Sequence, residues 1–139
     1  KKILVFVPFR HVIDILVGKL ESDGITTEIV RGDVPAHKRT DIFKRFQTMP
    51  DPKVLVIQPQ AAAHGVTLTA ANTVVWWGPT SSLETYLQAN ARVHRSGQDH
   101  KCTVVQLQSS DVEKRIYSLL DNRINIHTEI VDLYKDLLD

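Results

Sequence analysis

Two arginines, a histidine and two glutamines crowd into the stretch Gln88–Gln98, QANARVHRSGQ. Arginine suits phosphate. Its planar guanidinium offers a rigid fork of donors and stays charged at any working pH. On a helix running to about Arg95, Gln88, Arg92 and Arg95 stand at i, i+4 and i+7 and share one polar stripe, turned away from a sheet-facing side of Leu83, Tyr86, Leu87, Asn90 and Ala91. Two guanidiniums so placed can reach a single polyphosphate. The stripe equally suits a solvated helix face on which Glu84 pairs Gln88 or Arg92. The chain holds no glycine-rich loop with a lysine to cradle the phosphate itself.

Other chemistries lack their patterns. His37, His64, His94, His100 and His127 form no metal-ligand motif with carboxylates or thiols. There is no G-x-S-x-G elbow for a serine hydrolase. The segment after the first strand, Pro8-Phe9-Arg10-His11, lacks the G-x-G-x-x-G of a dinucleotide site. The single Cys102 excludes an internal disulfide and a multi-thiolate site, reads as a core residue, and suits a reducing, intracellular compartment.

The elements that must position these residues follow from length and periodicity. With 139 residues, the chain is one domain able to bury a core without disulfides or metal. Its 17 basic and 16 acidic residues leave a net charge of +1, so any nucleic-acid binding must come from a local patch. No apolar run approaches the ~20 residues of a membrane span, and no membrane partner is expected. The first residues, KKILVFVPF, read as a strand and not a signal peptide. With no initiating Met, the chain reads as a piece of something longer.

Strands are expected at Ile3–Val7, Thr27–Val30, Lys53–Ile57, Thr73–Trp77 and Cys102–Leu107. Between them lie helices. One spans His11–Ser22, with Val12, Ile15, Leu16 and Leu20 on its apolar face. A second is capped by Asp33, has Pro35 in its first turn, and buries Ile42, Phe43 and Phe46. Capping boxes at Ser81-x-x-Glu84 and Ser110-x-x-Glu113 open two more. The last is a helical tail over about 111–139, with a break near Asn122–Asn125. Apolar strands alternating with helices mean an α/β fold, a mostly parallel sheet covered on both faces. Ligands meet such sheets at the carboxyl ends of the strands. The loops there hold Arg10, His11, Arg31, Gln58, Gln60 and Thr67, a modest polar rim able to touch phosphates without reading sequence. Trp76 and Trp77 end an apolar strand, so at least one belongs to the core. Tyr86 fits a buried helix face and needs a partner for its hydroxyl. Lys38, Arg39, Lys44 and Arg45 read as a solvated outer face.

The pattern Gln88-Ala89-x-x-Arg92-x-His94-Arg95-x-Gly97-Gln98 resembles motif VI of the Swi/Snf-type branch of superfamily-two helicases, at every constant position. Other segments agree in order. Ile3–Phe6 resembles motif IV. Arg31-Gly32, Lys38-Arg39 and Ile42-x-x-x-Phe46-Gln47 resemble the next strand and helix. His64–Asn72 resembles motif V, and Asp111–Ile116 the helix after the last strand. The resemblance implies a three-layer RecA-like domain, the C-terminal lobe of an ATP-dependent DNA translocase. It implies that Arg92 and Arg95 are arginine fingers, and that Gly65 and Gln88 join them at the nucleotide. ATP and Mg²⁺ would be held mainly by an N-terminal RecA-like lobe, and this piece alone would hydrolyse nothing. The DNA partner would be duplex and read without sequence preference, with Arg10, His11, Gln58, Gln60 and Thr67 as candidate contacts.

Some positions depart from the family pattern. Ala62-Ala63-His64 precedes Gly65 where two glycines are usual, and Thr67 replaces an asparagine. Ile57-Gln58-Pro59-Gln60 stands for Leu-Ser-Thr, and Val7-Pro8-Phe9 for Ser-Gln-Phe. Together with the short chain, these suggest a compact motor of prokaryotic or bacteriophage kind, hence a cytoplasmic one. The rival reading is a non-catalytic RecA-like module that binds nucleic acid or protein, for which the arginine stripe has little use. RNA or branched DNA as substrate stays open.

Overall fold

The computed structural model describes residues 2–62 and 65–123. Five short strands, β1 (Lys2–Phe6), β2 (Thr27–Val30), β3 (Val54–Ile57), β4 (Ala71–Trp76) and β5 (Thr103–Gln106), form one sheet in the order β2-β3-β1-β4-β5. Every pairing is parallel. The helices are α1 (Arg10–Ser22), α2 (Ala36–Thr48), α3 (Leu83–Ala91) and α4 (Asp111–Asp121), with a 3-10 turn at Pro59–Ala62. α4 ends at Asp121 with Asn122 as its cap, at the start of the break expected near Asn122–Asn125, and the expected tail beyond residue 123 lies outside the described residues.

Alternate strand residues serve opposite faces, as the pleat requires. Leu4, Phe6, Leu55, Ile57, Val74 and Trp76 pack with Ile42 and Phe46 of α2, Tyr86 and Ala89 of α3, and Tyr117 and Leu120 of α4. Val5, Val7, Val54 and Val56 pack on the other side with Ile13 and Val17 of α1. The result is the expected three-layer arrangement. Trp76 is the largest fully buried side chain. It sits between the rings of Phe6 and Tyr86, and its Nε1 donates to Asn90 Oδ1 at 2.9 Å. The Tyr86 hydroxyl donates to Asp121 and accepts from Gln106.

Several expectations give way to tertiary structure. Asp33 does not cap α2. Its carboxylate pairs with Arg10 and Arg31, and α2 begins after Pro35 with no side-chain cap. Ser82, one residue after the expected cap, caps α3 by accepting from Thr85 N, while Glu84 accepts from Gln88. The buried side of α3 runs through Tyr86 and Ala89 to Val93; Leu87 and Ala91 are exposed. Ile15 of α1 faces solvent, because Ile13 and Val17 take the sheet side. β5 is an edge strand, and among the described residues its Val104 and Val105 stay exposed. Cys102 is half-buried against the core. In α2, Lys38 and Lys44 are solvated as expected, while Arg45 pairs with Glu28 and Asp41.

Candidate functional site

α3 ends at Ala91, not at Arg95. The chain then tightens: Arg92 N donates to Ala89 O and Val93 N to Asn90 O, a three-residue step in place of four. External donors occupy the carbonyls that a longer helix would use internally. Leu68 N donates to Arg92 O at 2.8 Å, and Gln98 Nε2 to Val93 O at 3.0 Å. Gly97, at φ +96°, takes the left-handed conformation that reverses the chain. Arg92 thus sits at the end of a helix and Arg95 in the turn beyond it. The helical stripe of the sequence reading does not form.

The two arginines converge by another route. Arg95 Nη1 donates to Gly65 O at 3.3 Å and Val66 O at 3.1 Å. Arg92 Nη1 lies 3.8 Å from where a Cβ on Gly65 would stand, and Gly65 itself is at φ +77°. Both guanidiniums therefore close on the loop that starts at Gly65. Arg92 Nε is buried without a hydrogen-bond partner among the described residues. Burial, and then the like charge of Arg95, lower the Arg92 pKa; an arginine still keeps its proton. A buried, charged donor beside a second cation is an arrangement that an anionic ligand would relieve.

Two glutamines hold these segments together. Gln98 Nε2 also donates to Ala71 O at 2.8 Å, joining the arginine turn to the start of β4. Gln47, in the last turn of α2, donates from Nε2 to Thr69 Oγ1 and accepts from Ala70 N, both at 2.8 Å. The motif pattern includes Gln98 without saying what it holds. Gln47 closes the Phe46-Gln47 segment of the resemblance, but its clamp on a loop more than twenty residues away has no local signal.

The polar rim is only partly assembled. Arg10 Nη2 is 2.7 Å from Asp33, and Arg31 Nη1 is 3.2 Å from Asp14. Gln58 turns its Oε1 to Gly32 N at 3.0 Å, a structural tie that leaves its NH₂ to donate. His11, Gln60 and Thr67 are exposed. Gln88 bonds Glu84 at 3.2 Å, as the solvated-face reading expects, and does not reach the arginine cluster through that bond. Of the two tryptophans, Trp76 is core and Trp77 is 38% exposed. Among the described residues no three His, Cys, Asp or Glu side chains stand close enough to hold a metal ion. No described helix is long and apolar enough to cross a membrane.

Residues 1–97 match the family described as the helicase conserved C-terminal domain. The chain belongs to that family. Among relatives of this helicase C-terminal domain is the zebrafish (Danio rerio) "Chromodomain-helicase-DNA-binding protein 1-like", 30% identical over 94% of this chain and 13% of its own length. Another is the fission yeast (Schizosaccharomyces pombe) "ATP-dependent helicase fft2", 28% identical over 97% of this chain and 11% of its own. A Caenorhabditis elegans relative named as SWI/SNF-related is 27% identical over 99% of the chain and 14% of its own length. The chain spans a small part of each of these proteins. Among solved structures, the C-terminal part of the Fun30 ATPase domain superposes with a TM-score of 0.79 at 26% identity, covering 86% of this chain and 39% of that one. The C-terminal domain of the DEAD-box protein Dbp5 shares the fold, with a TM-score of 0.74 at 23% identity, over 88% of this chain and 69% of that one.

These relatives correct one expectation. They come from fish, yeast and worm, and so overturn the prokaryotic or bacteriophage assignment and the cytoplasmic location drawn from it. The loop variants that suggested it, such as Gln58 and Thr67, are local substitutions in exposed or half-buried positions.

Proposed function

We propose that this helicase C-terminal domain is the second motor lobe of an ATP-dependent DNA translocase, and that Arg92 and Arg95 act on ATP held by a first lobe. The observation that carries the reading is the meeting of both arginines at Gly65–Val66, with Arg92 Nε buried and unpartnered among the described residues. When the lobes close, the γ-phosphate oxygens supply the missing acceptors. Charge spreads over those oxygens as the phosphoryl group transfers, and an arginine aimed at them is worth about 10³–10⁵ in rate. That is roughly 4–7 kcal/mol of transition-state stabilisation. Mg²⁺ would travel with ATP on the first lobe, and no step here runs through it. Gly65 supplies the left-handed turn from which the loop meets Arg95. Gln88 stays a weaker candidate for nucleotide contact, held at present by Glu84.

The DNA backbone would run along the carboxyl ends of β1 and β3 and the Gly65 loop, touching Arg10, His11, Gln58, Gln60 and Thr67. Names such as "helicase-DNA-binding" and "ATP-dependent helicase" among the relatives support this substrate class. The piece alone, with no lysine loop of its own, is expected to be inactive. The test is ATP hydrolysis by the full-length protein with and without duplex DNA. Arg92→Ala and Arg95→Ala are each expected to lower DNA-stimulated turnover about a thousandfold while ATP still binds. Full turnover in both variants would leave the cluster a surface feature and favour a non-catalytic interaction module.

A further inference from the structure

The loop that receives the arginines is not held by the arginines alone. Gln47 reaches it from α2, on a different element, and spends both ends of its side-chain amide on Thr69 and Ala70. From there the loop binds Arg92 O through Leu68 N, and presents Gly65 O and Val66 O to Arg95. Both of these Gln47 hydrogen bonds go to the loop and not to either arginine. α2 itself is anchored elsewhere, by Ile42 and Phe46 in the core and by the ion pairs of Arg45. The side-chain amide of Gln47 thus adds little to docking the helix and much to fixing the loop.

From this geometry we infer that Gln47 is a positioning residue for the arginine pair: it sets where the Gly65–Ala70 loop lies and, through the loop, where Arg92 and Arg95 point. The inference rests on the reading of those arginines as transition-state groups. A misplacement of about 1 Å from a change far from the chemistry can cost about a hundredfold. An interaction made only in the transition state shows in kcat and not in KM. A residue that merely stabilised α2 would move neither.

The experiment measures ATP turnover with duplex DNA, and thermal stability, for the full-length protein carrying Gln47→Leu, Gln47→Glu, Arg95→Ala, and Gln47→Leu with Arg95→Ala. Gln47→Leu is expected to lower kcat by about 10- to 100-fold at unchanged KM for ATP. Gln47→Glu is expected to keep most of the rate, because a carboxylate still accepts from Ala70 N and the Thr69 hydroxyl can turn to donate. In the Arg95→Ala background the leucine substitution should cost far less than it does alone, as coupled groups do. Should Gln47→Leu fail to fold, Thr69→Val removes half of the clamp and is expected to give a smaller fall in kcat at unchanged KM. The inference is overturned if Arg95→Ala loses turnover while Gln47→Leu, or Thr69→Val in its place, changes stability alone. Equal costs in both backgrounds overturn it too. If Arg95→Ala keeps full turnover, the arginine reading fails and this inference with it.

Discussion

Arg92 holds a buried donor, its Nε, without a hydrogen-bond partner among the described residues, as Arg31 does, but Arg92 stands beside a second arginine. A buried donor left unpaired costs about 1–3 kcal/mol. Arg92→Leu should therefore leave the isolated domain as stable as the parent or slightly more so, measured by chemical denaturation, while the full-length protein carrying it loses turnover. A marked loss of stability would mean that the arginine serves the fold. Gly65 is a second local test. At φ +77°, a side chain costs about 1–2 kcal/mol. Gly65→Ala should lower stability by that amount through backbone strain alone, because the new methyl would meet Arg92 Nη1 at 3.8 Å, an ordinary contact distance; an unchanged urea midpoint would contradict this. The sequence made the two arginines legible as residue types at helical spacing. It could not show that they meet through a loop 30 residues away, because that contact is a tertiary hydrogen bond to backbone carbonyls.

Elements were legible where their pattern is local. The five strands fall within two residues of their expected limits, since runs such as VLVI admit little else. Caps and edges depend on neighbours and were misjudged. Ser81 and Ser82 both precede α3, and the hydrogen bond goes to Ser82. Ser82→Ala should cost about 1 kcal/mol of stability and Ser81→Ala little, a contrast that urea unfolding of the two variants would measure. Equal losses would contradict the observed cap. The end of α3 was misplaced because Leu68 and Gln98 supply its terminal carbonyls with outside donors. β5 looked like a core strand because apolar composition alone does not tell a central strand from an edge.

At the scale of the whole molecule the fold was well anticipated and the lineage was not. Alternating strands and helices pointed to a parallel three-layer sheet, and the motif order pointed to the helicase lobe, later matched over residues 1–97. With a net charge of only +1, the proposed DNA binding would fall to the strand-end rim. Each phosphate contact adds about 0.9 to the salt slope of duplex affinity. Arg10→Ala in the full-length protein should reduce that slope by about this amount; an unchanged slope would leave Arg10 only the partner of Asp33. In the proposed mechanism Arg92 and Arg95 recognise the transition state and not the nucleotide. Its most direct test is the affinity of the full-length protein, with duplex DNA, for ADP–aluminium fluoride and for ATP. The expected result is that Arg95→Ala and Arg92→Ala lose the transition-state mimic and bind ATP as the parent does. Equal affinity for the mimic in parent and variants would contradict the account.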